Sequence, residues 1–164
     1  MNVSYKWLRE FTDVDVEPSV FMRELCMTGT EVTGFGSPGK TLSDIRVGRI
    51  NTVSKHPDAE RLFICSVDVG LPEPIQIVTA ATNIFEGATV PVVMDGGSIY
   101  DGTVIKKGKL RGEVSMGMFC SVAELGLTVS DYPGAVEDGI LILKEGVPGE
   151  DVKKLLGLDD TVFN

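Results

Sequence analysis

Ile45-Arg46-Val47-Gly48-Arg49-Ile50-Asn51-Thr52-Val53 marks the place where the periodicity of the chain changes. Ile45, Val47 and Arg49 alternate with Arg46, Gly48 and Ile50, the period of two that a strand imposes by pointing successive side chains to opposite faces. The run breaks at His56-Pro57. Leu62-Phe63-Ile64-Cys65-Ser66-Val67-Asp68-Val69 resumes it, apolar on both faces for part of its length. Further out, Pro72 and Pro74 enclose a turn, and residues 75–78 and 88–94 read as strands, with Pro91 marking an edge or a bulge. Asp95-Gly96-Gly97 reads as a turn before a strand-like stretch over 98–105. A short helix over 122–125 stops at Gly126, and residues 140–143 close the set. Five or so short strands with turn signals every ~8–12 residues predict a small barrel or sandwich.

The flanks have a different texture. Residues 1–28 predict two short helices: Ser4 caps the first, whose apolar face carries Tyr5, Leu8 and Phe11 with Trp7 beside it. Pro18 suits the first turn of the second, which runs through Phe21, Met22, Leu25 and Cys26 until Gly29 stops it. Residues 30–35 are strand-like, and the turn-rich stretch 34–39 places a domain boundary near residue 41. Beyond the barrel, residues 150–156 form a short helix ended by Gly157. The last residues, Thr161-Val162-Phe163-Asn164, are strand-forming and read as a cut inside a longer protein.

The chain has 164 residues, 43% apolar and 24% charged, the balance of a folded domain that buries roughly 70% of its unfolded surface. No apolar run approaches the ~20 residues of a membrane span, and no basic-then-apolar leader opens the chain. Membrane, secreted and disordered classes are therefore disfavoured, and a cytoplasmic location is expected. Cys26, Cys65 and Cys120 are widely spaced and His56 is the single histidine, so zinc is not expected and the thiols read as buried and reduced. The net charge of −9 at first argues against a nucleic-acid partner. Its position changes that judgement: residues 45–125 hold 8 basic and 9 acidic side chains, whereas the flanks hold 7 and 15. Within the central block, Lys106, Lys107, Lys109 and Arg111 put four positive charges in six residues with no acid among them. Such a run is either a solvated loop or a phosphate-binding one.

Several motifs stand in order. His56-Pro57-Asp58-Ala59-Glu60-Arg61-Leu62 leads into Cys65-Ser66-Val67-Asp68-Val69-Gly70. Ile77-Val78-Thr79-Ala80-Ala81-Thr82-Asn83 follows. Then comes Lys109-Leu110-Arg111-Gly112-Glu113-Val114-Ser115-Met116-Gly117-Met118-Phe119-Cys120-Ser121, closed by Glu124-Leu125-Gly126. Together they resemble the tRNA-binding oligonucleotide-binding (OB) barrel of several synthetases and free-standing tRNA-binding proteins. The opening Met1-Asn2-Val3-Ser4-Tyr5-Lys6-Trp7-Leu8, the Gly29-Thr30-Glu31-Val32 step and the closing Leu158-Asp159-Asp160-Thr161-Val162-Phe163 narrow the likeness. They resemble the N-terminal portion of the bacterial phenylalanyl-tRNA synthetase β-subunit family. Two stretches depart from that family's commoner pattern: Arg111-Gly112-Glu113-Val114-Ser115, and Thr79-Ala80-Ala81.

The resemblance implies an α+β, mainly β chain. A five-stranded OB-fold barrel over 41–149 would be inserted into a small α/β N-terminal domain, with its first half in 1–40 and a truncated second half in 150–164. It implies a parent ligase that attaches phenylalanine to tRNA using ATP and magnesium bound elsewhere. The partners would be the α subunit and the remaining β-subunit domains of an (αβ)2 heterotetramer. This segment assembles no phosphate-cradling glycine loop, catalytic triad or metal cluster of its own, so no cofactor and no catalytic centre are expected in it.

On the OB reading, Lys106, Lys107, Lys109 and Arg111 touch phosphates and position RNA without reading its sequence. Lys55 and His56 extend the basic rim, His56 being either part of it or a turn residue before Pro57. Asn83 either reads a base edge or 2′-hydroxyl, or braces backbone. Ser115, Gly117 and Met118 resemble the family's signature loop, with Met116 and Met118 otherwise filling the barrel mouth. Arg61 makes either a local ion pair or a phosphate contact, and Glu124 is read as a brace. Tyr100 and Phe119 are the stacking candidates; Phe63 and Phe85 are assigned to the core, and Leu62 to it as well. The competing reading is a structural or docking module within the synthetase, with little direct tRNA contact.

Overall fold

In the computed structural model, which describes residues 1–164, the first helix begins where its cap is expected. Ser4 ends the two-residue strand β1 (Val3–Ser4), and its Oγ accepts from the Trp7 N–H at 3.0 Å to open α1 (Tyr5–Phe11). Pro18 occupies the first position of α2 (Pro18–Met27), where its missing N–H leaves nothing unpaired. Only Tyr5 of α1 is buried. Phe11, expected on the same apolar face, is exposed and packs edge-on against Trp7 with ring centroids 5.0 Å apart. Of the strand expected from residue 30, only β2 (Phe35–Gly36) forms.

The barrel follows. Strands β3 (Ser43–Lys55), β4 (Phe63–Asp68), β5 (Ile75–Thr79), β6 (Thr89–Ser98), β7 (Gly108–Leu110), β8 (Glu113–Ser115) and β9 (Gly117–Phe119) are all antiparallel to their partners. Five of them form one sheet in the order β5-β4-β3-β6-β9, while β7 and β8 form a separate hairpin. The long β3 pairs twice, first with β6 (Ile45↔Val93) and then with β4 (Val53↔Cys65), with a register shift between Ile50 and Thr52. Such a bulge lets one strand bend from one partner to the next. Gly48 lies inside this curl: a Cβ there would sit 2.6 Å from Val92 Cγ2 and 2.8 Å from Val67 Cγ1. The ends of the sheet then meet, as the Met116 N–H donates to the Gln76 carbonyl at 2.9 Å. The result is a nearly closed OB-like barrel whose core is built from Ile50, Cys65, Val67, Ile75, Ile77, Val90, Val92 and Phe119.

Four expectations about this region need correcting. Pro91 is not at an edge; it is fully buried in β6. The sheet accommodates it because Val47 opposite gives its N–H to Glu150 O and takes the Gly149 N–H, both at 2.8 Å. On the other side, the Cys120 carbonyl is occupied by the Leu141 N–H at 3.0 Å. Asp95-Gly96-Gly97 is not a turn but an outward bulge within β6, between the pairs Ile45↔Val93 and Ser43↔Ser98. Of the strand expected over 98–105 only Ser98 is in one, as the end of β6; residues 99–105 form a tight loop with a single bridge, Ser98↔Val104. The aromatics are exchanged: Phe119 is buried in the core because β9 alternates it with outward Met118, while Phe85 is 54% exposed. Phe63 and Leu62 are half-buried.

Residues 140–143 are extended without forming a named strand, although the Leu143 N–H donates to Thr89 O at 2.8 Å. Asp151 caps the short α3 (Val152–Leu155) by accepting from the Lys153 N–H, and the backbones of Arg46 and Asp151 pair as an isolated antiparallel β-bridge. These contacts to β3 group residues 150–156 with the barrel. One compact unit is Thr41–Leu156; the other joins Met1–Lys40 to Gly157–Asn164. In the smaller unit, β10 (Val162–Phe163) lies between β1 and β2, and Phe163 packs 5.6 Å from Tyr5 and 5.2 Å from Phe21. No helix is long and apolar enough to cross a membrane.

Candidate nucleic-acid interface

An OB barrel offers the face of its second and third strands, flanked by the loops joining strands one to two and four to five. Here the face is β4 and β5, and the loops are residues 56–62 and 99–116. The second loop contains the β7–β8 hairpin. Leu110 pairs with Glu113 across a two-residue turn, Arg111-Gly112, with φ of +53° and +90°. Positive φ at both positions is the type I′ arrangement that matches the twist of a hairpin. The basic run is therefore wound into a built element. Lys106 and Lys107 precede β7, Lys109 lies within it, and Arg111 stands at the turn.

All four cations are exposed and none forms an ion pair. The nearest acids on the hairpin and its approach are engaged by neutral donors. Glu113 Oε2 accepts from Gln76 Nε2 at 3.1 Å, and Asp95 Oδ1 accepts from the Lys107 backbone N–H at 2.8 Å. Lys55 is exposed at the end of β3, beside the root of the 56–62 loop. Arg61 on that loop and Arg111 on the hairpin line one shallow depression of about 450 Å³, shared with Asp58 and Glu60.

The other candidates are placed differently. His56 is buried: its Nδ1 accepts from the Asp58 N–H and its Nε2 donates to the Leu110 carbonyl, both at 3.0 Å. Asn83 is a backbone brace, its Nδ2 donating to Ile140 O at 2.8 Å and its Oδ1 accepting from the Ile140 N–H at 3.1 Å. Ser115 is buried, donating to Gly117 O and accepting from the Val78 N–H. At Gly117 a Cβ would lie 2.4 Å from Val93 O, so glycine is required there by strand approach. Met118 is half-buried on β9, opposite Val93, and Met116 is exposed. Tyr100 is half-exposed, but its ring covers Gly126 and its backbone bonds Glu124 and Thr41. Glu124 accepts from the N–H and hydroxyl of Ser121, as a brace does. Arg61 forms no ion pair with Asp58 or Glu60.

Burial pushes the Cys65 thiol up to about 11, and burial with the nearby Glu124 charge pushes Cys120 higher still. No group of three or more His, Cys, Asp or Glu side chains is placed to hold a metal ion.

Compared with known families, residues 45–148 match the one described as "Putative tRNA binding domain". The chain belongs to this tRNA-binding domain family. Over its whole length it is also 42% identical to the phenylalanine–tRNA ligase beta subunit of Clostridium acetobutylicum, and over 99% of its length 44% identical to that of Streptococcus pyogenes serotype M18. It spans only 20% of each of those relatives. Among solved structures, a MetRS related protein from Pyrococcus horikoshii aligns with 66% of this chain and 86% of its own at 23% identity, with a TM-score of 0.44.

The tRNA-binding domain also presents a surface with no marked signature in its sequence. Thr52 and Ser54 of β3, Ile64 and Ser66 of β4, and Gln76 of β5 line a shallow groove of about 320 Å³ on the outer face of the barrel. A faint trace is present in β4, where Ile64, Ser66 and Asp68 alternate with inward Cys65 and Val67. A polar outer face gives no apolar signature, and which outward faces join into one groove depends on the barrel's curl.

Proposed function

We propose that this tRNA-binding domain holds the sugar–phosphate backbone of tRNA along β4, β5 and the two flanking loops, with Lys106, Lys107, Lys109, Arg111 and Lys55 supplying the charge. The observation that carries this reading is a hairpin bearing exposed cations without acidic partners beside the open barrel face. Phosphate contact of this kind positions RNA and is strongly salt-dependent. Base stacking contributes little, because Phe119 is in the core and Tyr100 is seated on Gly126. Titration of fluorescent tRNA with the 164-residue chain at ~50 and ~200 mM salt tests it. If all four hairpin cations meet phosphate, affinity falls by about 50- to 150-fold between the two salts. An affinity too weak to measure at the lower salt would overturn the reading and leave a docking module.

At the scale of the parent protein, we infer a phenylalanine–tRNA ligase β subunit working with an α subunit as an (αβ)2 heterotetramer in the cytoplasm. ATP and magnesium would be bound outside this segment. The support is similarity, over essentially the whole of this chain and 20% of theirs, to relatives bearing the ligase name. The expected result is that the 164-residue chain alone charges no tRNA, whereas the intact protein with its α subunit does.

A further inference from the structure

We propose that His56 is a positioning residue for RNA binding: its imidazole fastens the 56–62 loop to the basic hairpin, fixing where Lys109 and Arg111 present their charge. The inference rests on the RNA-binding reading above. A two-stranded hairpin of three-residue strands is marginal by itself, so its orientation depends on tethers. The β8 side has several. Gln76 Nε2 donates to Glu113 Oε2 and to Val114 O, the Met116 N–H donates to Gln76 O, and Ser115 Oγ accepts from the Val78 N–H. Within β7 itself the one side-chain tether is His56 Nε2–H to Leu110 O at 3.0 Å, while just before it Asp95 Oδ1 accepts from the Lys107 N–H at 2.8 Å. Leu110 stands between Lys109 and Arg111, so the gripped carbonyl is the one flanked by the two cations.

The ring suits this task. A carbonyl only accepts and a backbone N–H only donates, so the two partners specify a neutral imidazole protonated at Nε2. Nδ1 caps the turn at Asp58, and the His56 N–H closes the loop on Leu62 O at 3.0 Å. One side chain thus sets the geometry of the loop that carries Arg61 and connects it to the hairpin that carries Arg111.

Two substitutions separate the halves of this role. In His56→Asn the amide oxygen replaces Nδ1 as acceptor for Asp58 but the side chain is too short to reach Leu110. In His56→Gln the terminal amide supplies a donor near the Nε2 position. The first measurement is amide hydrogen exchange without RNA: His56→Asn should speed exchange across 108–115 while β3 and β6 amides stay protected, and His56→Gln should restore the hairpin. Unchanged hairpin exchange in His56→Asn would overturn the tether whether or not tRNA binds. The second is tRNA titration: His56→Asn should weaken binding on the order of tenfold and shrink the salt slope by about 1–2, with recovery in His56→Gln. In a background lacking Lys109 and Arg111, the same change should have no further effect on affinity. Full affinity in His56→Asn, or an equal loss in that background, would overturn the positioning role. Absence of binding by the unmodified chain at ~50 mM salt would overturn the RNA reading and this role with it, and the exchange data would then report the tether as purely structural.

Discussion

Arg111 adopts a left-handed conformation, φ +53°, next to Gly112 at +90°. A side chain there costs about 1–2 kcal/mol, against roughly 0.5–1 kcal/mol for the extra freedom of glycine in the unfolded chain. Arg111→Gly is therefore expected to leave stability unchanged or raise it by up to about 1.5 kcal/mol while lowering tRNA affinity. Urea unfolding and tRNA titration check both halves, and a clear loss of stability would contradict them. The thiols give a second prediction at this scale. Cys26 is exposed, whereas Cys65 is raised to about 11 and Cys120 further by burial. Iodoacetamide at pH 8 should modify one thiol in the folded protein and three in urea. The unfolded chain releases the protons of Cys65 and Cys120 near pH 9 while the folded chain retains them, so stability falls as pH rises above about 9. At the level of single residues the sequence was informative about type and poor about orientation. Asn83 and His56 were open between ligand and brace because both chemistries use the same atoms, and no sequence pattern gives the positions of Ile140, Asp58 and Leu110, to which they bond.

Among the elements, the strands of the sheet were legible wherever they ran five residues or more, because period two is then visible in β3, β4, β5 and β6. Three-residue strands carry no such period, and β7, β8 and β9 went unseen. Arg111-Gly112 also lacks the Asn-Gly or Asp-Gly form by which a tight hairpin turn announces itself. Pro91 was read by its own missing donor, whereas its tolerance depends on Val47 and Cys120 finding other partners. The close approach of β9 to β6 gives an element-scale prediction. Gly117→Ala places a Cβ against Val93 O, and should cost about 1–3 kcal/mol through displacement of β9. Asn83→Ala should cost a similar ~1–3 kcal/mol by leaving the Ile140 N–H and carbonyl unpaired. Both are read by urea unfolding, and neither should change the salt slope of tRNA binding. A changed slope with unchanged stability in Asn83→Ala would mark that side chain as an RNA contact after all.

For the molecule as a whole, the total charge of −9 misdirects and its distribution informs. Residues 45–125 are nearly neutral, and four of their eight cations are gathered on one hairpin and the residues that lead into it. The acidic excess lies in the flanking segments. Local potential outweighs net charge within a Debye length, about 8–10 Å at ordinary ionic strength. The most direct measurement is the slope of log affinity for tRNA against log salt, compared between the unmodified chain and one carrying Lys106→Ala, Lys107→Ala, Lys109→Ala and Arg111→Gly. The expected result is a slope smaller by up to ~4 in the variant, with a folded barrel by urea unfolding. Equal slopes and equal affinities in the two proteins would show that the hairpin is solvated and that its charge holds no RNA.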